Sequence, residues 1–146
     1  MIFMKEDSDL FLIDTNILVY AFSQEQEIKN KKAKALIDKC WDGFINLAVS
    51  NQNLAEFVFV STKKSKLSFN RVKSIIEYIT IFRGFKKINY SEKTIHLAID
   101  LAHQFQIPFW DSLLAATMKE NNIFNIYREN TKDFKIKWIN AVNPLI

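Results

Sequence analysis

Short apolar runs alternate with longer stretches of helical period along nearly the whole chain, and this alternation restricts the fold more than any other feature. Such a pattern predicts a parallel α/β sheet, because parallel neighbours must be joined by crossovers that are usually helical. Leu10–Ile13 reads as a first strand, ended by Asp14-Thr15-Asn16, whose side chains suit a helix N-cap, with a short helix over Asn16–Phe22. From Glu25 to Trp41, Ile28, Ala33, Leu36, Ile37 and Cys40 recur at helical intervals opposite lysines. Phe44–Val49 is the second strand, and Ser50 or Asn51 caps a helix running to about Thr62. A helix over Ser68–Phe82, a third strand over Lys86–Asn89 and a helix from Ser91 to Phe105 follow, the last with Ile95, Ala98, Ile99, Leu101 and Ala102 inward. Pro108 stops the chain before a helix that begins at Asp111 and reaches about Asn121, and Ile123–Tyr127 and Trp138–Val142 are the last two strands. With no linker, repeat or low-complexity segment, the 146 residues are expected to form one domain, 1–146.

Several function classes are excluded by what the chain lacks. It has two glycines, Gly43 and Gly84, too few for a phosphate-cradling loop or a dinucleotide fingerprint. Its two histidines, His96 and His103, are seven apart on one predicted helix, about 10 Å along the axis, too far to ligate one ion. No stretch approaches the roughly 18 apolar residues of a membrane span. Met1-Ile2-Phe3-Met4 runs straight into Lys5-Glu6-Asp7-Ser8-Asp9, which is not a signal peptide pattern. A lone Cys40 has no internal disulfide partner, and a reducing cytoplasm is the expected location.

Acidic and amide residues occupy the places where strands and helices should meet solvent at one edge of the sheet. Asp14 follows the first strand; Glu56 interrupts the apolar stretch Asn53-Leu54-Ala55-Glu56-Phe57-Val58; Asp111 lies between Pro108-Phe109-Trp110 and Ser112-Leu113-Leu114; Asn130 and Asp133 follow the fourth strand. Ligands of open α/β sheets gather at the carboxyl ends of the strands. Each residue taken alone has a plainer explanation: Asp14 and Asp111 as helix caps, Glu56 in a salt bridge, Asp133 as a turn residue. Together they point to a shared task, since two carboxylates about 4 Å apart repel by about 1–4 kcal/mol and a hard divalent cation removes that repulsion. Such a centre activates water and suits phosphodiester hydrolysis, with one or two ions.

Charge fits the same chemistry. The chain carries 20 basic and 16 acidic residues, and setting aside Asp14, Glu56, Asp111 and Asp133 leaves 12 acidic against 20. The excess is clumped at Lys29, Lys31, Lys32 and Lys34, at Lys63, Lys64 and Lys66, at Arg83, Lys86 and Lys87, and at Lys132, Lys135 and Lys137. A basic surface around a small acidic hole suits a polyanionic substrate, although each clump alone also fits a solvated helix face.

Four of these segments, in order, resemble the motifs of PIN domains. Asp14-Thr15-Asn16-Ile17-Leu18-Val19-Tyr20-Ala21 is similar to the opening motif, Asn53-Leu54-Ala55-Glu56-Phe57 to the second and Trp110-Asp111-Ser112-Leu113-Leu114-Ala115-Ala116 to the third. Glu129-Asn130-Thr131-Lys132-Asp133-Phe134, followed by Val142-Asn143-Pro144, is similar to the C-terminal signature. The resemblance, strongest to the VapC-type toxins of toxin–antitoxin pairs, implies a PIN-like α/β fold with a central parallel sheet of four to five strands and helices on both faces. It also implies a Mg²⁺- or Mn²⁺-dependent ribonuclease. It assigns metal binding to Asp14, Glu56 and Asp111 and places the fourth acidic position on Asn130, with Asp133 as a nearby carboxylate that helps. Thr15, Asn16 and Ser112 become supporting residues that orient the ligands.

One position departs from the family pattern. Two residues before Asn130 the family usually has Thr or Ser, and here stands Arg128. A guanidinium there either pairs with a site carboxylate and competes with the cation, or points outward and holds the scissile phosphate. Trp110 and Phe109 are placed to stack an unpaired base, or else to pack in the core. The resemblance further implies an antitoxin that lays an apolar helix in a groove, and a homodimer. The almost wholly apolar helix Leu54–Val60 is expected to be buried, in the core or at such an interface. Three other readings stand beside the toxin: a housekeeping RNA-processing nuclease, a non-catalytic PIN-like RNA- or protein-binding module, and an aspartyl-phosphate domain. Asn16, where a phosphatase would place a second Asp, disfavours the last.

Overall fold

The structure, a computed structural model, describes residues 10–146; the expectation drawn from Met1–Asp9 lies outside them. Five strands, β1 (Phe11–Ile13), β2 (Leu47–Ser50), β3 (Phe85–Ile88), β4 (Asn125–Tyr127) and β5 (Asn140–Val142), form one sheet in the order β3-β2-β1-β4-β5. All four pairings are parallel. Six helices connect them: α1 (Thr15–Phe22) and α2 (Glu27–Trp41) before β2, α3 (Asn51–Lys63) and α4 (Phe69–Ile81) before β3, α5 (Glu92–Phe105) and α6 (Phe109–Glu120) before β4.

Strand alternation divides the core in two. Leu12, Ala48 and Ile126 face a layer formed with α5 and α6, including Ala98, Leu101, Leu114 and Met118. Ile13, Leu47, Val49 and Phe85 face the opposite layer, with Ile17, Leu36, Phe57 and Ile79 from α1 to α4. Because both faces are covered, the central strands read as unbroken apolar runs rather than as alternating ones.

Helix ends set where the strands begin. After α2, Gly43 adopts φ +83° while its N–H reaches the Cys40 carbonyl and the Phe44 N–H reaches that of Lys39, a Schellman ending that favours glycine. This turn consumes Phe44, so the second strand starts at Leu47, three residues later than the apolar run predicts. Asn122 does the same after α6 (φ +56°), and the fourth strand starts at Asn125 instead of Ile123. The helix expected to begin at Asp111 begins at Phe109 with Pro108 as its cap, so Asp111 stands inside the first turn, where a negative charge opposes the positive end of the helix dipole.

Two burial expectations change, one for residues read as inward and one for the apolar helix. Ile28 and Ile99 are 72% and 53% exposed, each on the outward side of a helix whose buried stripe lies elsewhere. The apolar helix carrying Glu56 is not buried all round. Only Asn53, Phe57 and Ser61, one residue per turn, are fully inside, while Phe59 is 61% exposed. His96 and His103 are both exposed.

Candidate functional site

The sheet order makes β1 central, with β2 and β3 added on one side and β4 and β5 on the other. The chain thus reverses direction of travel between β1 and β4, and the crevice beyond the carboxyl ends of those two strands is where such sheets bind ligands. Asp14 leaves β1 at this point, its N–H still bonded to the Tyr127 carbonyl of β4 at 3.0 Å. Arg128 leaves β4 at the same level, its N–H bonded to the Val142 carbonyl of β5 at 2.9 Å.

Asp14 is the N-cap of α1, and its Oδ1 accepts from the Thr15 N–H at 2.8 Å. The Asn53 amide donates to the same oxygen at 3.3 Å and to the Thr15 hydroxyl at 3.1 Å. Asn53 is itself fixed because it closes a capping box with Ser50 at the start of α3. One turn further on, Glu56 accepts from the Thr15 hydroxyl at 3.2 Å and from the Gln52 amide at 3.1 Å. The same Gln52 nitrogen reaches the Trp110 carbonyl at 3.1 Å, tying α3 to the start of α6. Asp14 at the cap of α1, Asp111 in the first turn of α6 and Glu56 in the second turn of α3 therefore share one edge.

Arg128 closes the set. Its Nη1 donates to Asp14 Oδ2 at 3.2 Å and to Asp111 Oδ1 at 3.1 Å, and its Nη2 to Asp111 Oδ2 at 3.3 Å. Nε donates to the Asn130 carbonyl at 2.8 Å, and the guanidinium lies 4.9 Å from the centre of the Phe134 ring. Of the two orientations open from the sequence, the arginine takes the inward one. Burial pushes the Asp14 carboxyl above its usual value; Arg128 and the Thr15 N–H pull it down, and Asp111 and Glu56 push it up, with a net rise. Burial is the largest of these causes.

By chemistry alone a hard divalent cation suits these donors, since Asp111 and Glu56 are near enough to Asp14 to raise its pKa further. The arrangement is different: it is closed around a guanidinium, and among the described residues no three His, Cys, Asp or Glu groups stand together as they would around an ion. As arranged, the residues do not fit the cation.

The remaining sequence candidates lie around this centre. Asn130 and Asp133 are exposed and hydrogen-bonded to each other. Asn16 is exposed and lines a separate groove with Val60 and Lys64. Ser112 is buried, its hydroxyl committed to the Pro108 carbonyl one helical turn back. Trp110 is 62% exposed and edges against Phe109, so neither is a core aromatic. Trp110 also lines an open apolar groove of about 570 Å³ with Gln52, Ala55, Glu56, Phe59, Val60 and Tyr90.

Sequence reasoning passed over Asn53, Gln52 and Glu129. Asn53 had a readable signal, since Ser50-x-x-Asn53 has the spacing of a capping box. Glu129 had none: it turns away from Arg128 to meet Lys29 Nζ at 2.6 Å and the Tyr20 hydroxyl at 2.7 Å, partners about a hundred residues earlier.

Among solved structures, the chain is similar to a toxin–antitoxin complex from Klebsiella pneumoniae, with a TM-score of 0.67 and 22% identity over 92% of this chain and 97% of that one. It is similar to Mycobacterium tuberculosis VapC20, a toxin that cleaves the sarcin–ricin loop, with a TM-score of 0.67 and 16% identity over 84% and 91% of the two chains. Rickettsia felis VapBC2 bound to a promoter DNA fragment gives 0.64 and 21% over 92% and 98%. Among curated proteins, no sequence matches. A match to the PIN domain family covers residues 11–135. It runs from the first strand to beyond the loop that holds Arg128, so the whole acidic edge lies within it, and the chain belongs to the PIN domain family.

Proposed function

We propose that this protein is a VapC-type endoribonuclease, the toxin of a toxin–antitoxin pair, which hydrolyses RNA phosphodiesters with Mg²⁺ or Mn²⁺. The observation that carries the reading is the convergence of Asp14, Glu56 and Asp111 at the β1–β4 crevice of a PIN domain. Only with Arg128 withdrawn from Asp14 and Asp111 would those three carboxylates hold one or two ions, with Asn130 in the family's fourth position and Asp133 beside it. A hard cation held there would polarise the phosphoryl group and supply an activated water.

The chain's own residues have distinct tasks in this reading. Thr15 and Asn53 fix the rotamers of Asp14 and Glu56, the kind of support that keeps a catalytic group in place. Ser112 holds the first turn of α6, and so the direction of Asp111. Asn16, at the start of α1, supports the rim from solvent. Exposed Trp110 stacks an unpaired base beside the scissile bond, and Arg128, once free of the carboxylates, offers a phosphate a forked donor.

Partners follow from the surface. The groove floored by Ala55, Phe59 and Val60 and walled by Tyr90 and Trp110 suits the apolar face of an antitoxin helix, and an occupant there would cover Glu56. A homodimer and a cytoplasmic location complete the reading. Among the described residues, no helix is long and apolar enough to cross a membrane.

Cleavage of fluorogenic single-stranded RNA by antitoxin-free protein tests the reading, with EDTA and Asp14→Asn as controls. Cleavage lost in both controls is the expected result. A second reading, a non-catalytic RNA-binding PIN module, draws on Arg128 filling the acidic centre. Tight RNA binding without cleavage across several RNAs and both metals would favour it.

A further inference from the structure

We infer that Arg128 is the resident cation of the acidic pocket: its guanidinium takes the Asp14 and Asp111 oxygens that a divalent ion needs, so an ion enters only by displacing it. This rests on the reading that Asp14, Glu56 and Asp111 are the ion's ligands.

The contact is built rather than incidental. A guanidinium has five N–H donors in a fixed fork. Here four of them are engaged: one with Asp14, two with Asp111 and one with the Asn130 carbonyl. The Phe134 ring lies against the same guanidinium. The side chains involved are only 15% exposed for Arg128 and Asp14 and 22% for Asp111. All four carboxylate oxygens of the two aspartates are then accepting, because Asp14 Oδ1 is held by Thr15 and Asn53.

A divalent ion needs some of the same lone pairs at much shorter range. An ion seated between Asp14 and Asp111 would also face the guanidinium across a few ångströms of poorly solvated space, and like charges there repel strongly. The two cations are therefore alternatives. Arg128 cannot yield by moving its backbone, which is paired to β5 through the Val142 carbonyl. It can yield by rotating its side chain past exposed Asn130 toward solvent. The metal-free chain is thereby left folded and partly charge-compensated, and Arg128 sets the metal concentration at which the pocket changes hands.

Mn²⁺ affinity is the direct test, measured by titration with detection of free Mn²⁺ by paramagnetic resonance. Wild type is compared with Arg128→Thr, which restores the hydroxyl usual in the family, and with Arg128→Gln, which keeps much of the stem without the charge. Both variants should bind Mn²⁺ on the order of tenfold more tightly or better, the size of effect that neighbours of a metal site commonly have. Both should also melt below wild type without metal and recover with Mn²⁺, whereas wild type should shift little. Should the threonine variant not fold, the glutamine variant gives the same readout. Equal or weaker Mn²⁺ binding in a folded variant would overturn the inference. Adding Asp14→Asn to the Arg128→Gln variant separates this from failure of the ligand assignment. If the tight Mn²⁺ binding survives that change, the ions do not sit on Asp14, and both readings fall; if it disappears, the ligand reading holds.

Discussion

Arg128 and Glu129 are neighbours just past the end of β4 and each closes an ion pair with a distant segment, but they point to opposite sides of the chain. Arg128 faces into the crevice, where it and its partners are nearly out of water. Glu129 faces outward to Lys29 and Tyr20, with side chains 28% and 37% exposed for Glu129 and Lys29. Burial works on both acidic partners in the same direction, and the outcome differs. For Glu129, burial raises the carboxyl's affinity for its proton, but Lys29 and Tyr20 more than offset this and the pKa is lowered. For Asp14, burial outweighs Arg128 and the net shift is upward. The outer pair is a satisfied tie between the bend after β4 and α2. The inner one is a centre where burial outweighs the guanidinium, and perturbed carboxylates of that kind gather at functional sites.

The comparison breaks most visibly at the inner pair. Asp14→Asn should reduce RNA cleavage by about 10²–10³-fold or more, the scale of losing one preorganised electrostatic partner. The amide still accepts from the Thr15 N–H, so the melting temperature should change far less than the rate. A folded variant with cleavage near wild type would remove Asp14 from the chemistry.

Asn53→Ala tests the support beneath the same pair. It leaves Asp14 and the Thr15 hydroxyl without the amide and opens the Ser50 capping box. The expected cost is about 1–3 kcal/mol in urea unfolding, together with a slower rate. A change in stability with no change in rate would show that Asn53 serves the helix alone.

Glu129→Gln sharpens the contrast with a smaller effect of predictable sign. A carboxyl whose pKa is lowered by folding contributes stability that is present above its unfolded pKa and lost as pH falls through the folded one. Wild type should therefore melt slightly above the variant at neutral pH, with the gap closing in the acid range below the ordinary carboxylate value. A gap that stays constant with pH would mean that the glutamate acts by shape alone. The smallest effect belongs to Cys40, a thiol that burial pushes up to about 11 and that lies 3.4 Å from the Gly84 carbonyl. It should resist alkylation in the folded protein and react on unfolding; rapid native labelling would contradict its placement in the core.

Much of this was legible in the sequence because local rules and the fold agree. The apolar runs gave strands in the right order, since a sheet covered on both faces needs unbroken apolar segments. Asp14, Glu56 and Asp111 were legible as a set because each stands beside or within an apolar run near a helix's first two turns. Strand starts were blurred where Phe44 and Ile123 serve helix endings, a use that apolar character does not reveal. The exposure of Phe59 and Trp110 was hidden for a related reason: an apolar residue looks the same in sequence whether it faces the core or an open groove. Arg128 was flagged as a departure, but its direction depends on its backbone bond to Val142 and on Phe134, both tertiary facts. The tie of Glu129 to Lys29 was invisible because nothing local connects residues so far apart.

The most direct test is an anomalous diffraction map from crystals of the wild-type chain held in saturating Mn²⁺. The account predicts one or two manganese peaks among Asp14, Glu56 and Asp111, with the Arg128 side chain turned out of the crevice. Saturated crystals with Arg128 still forked between Asp14 and Asp111, and manganese elsewhere or beside it, would contradict the account.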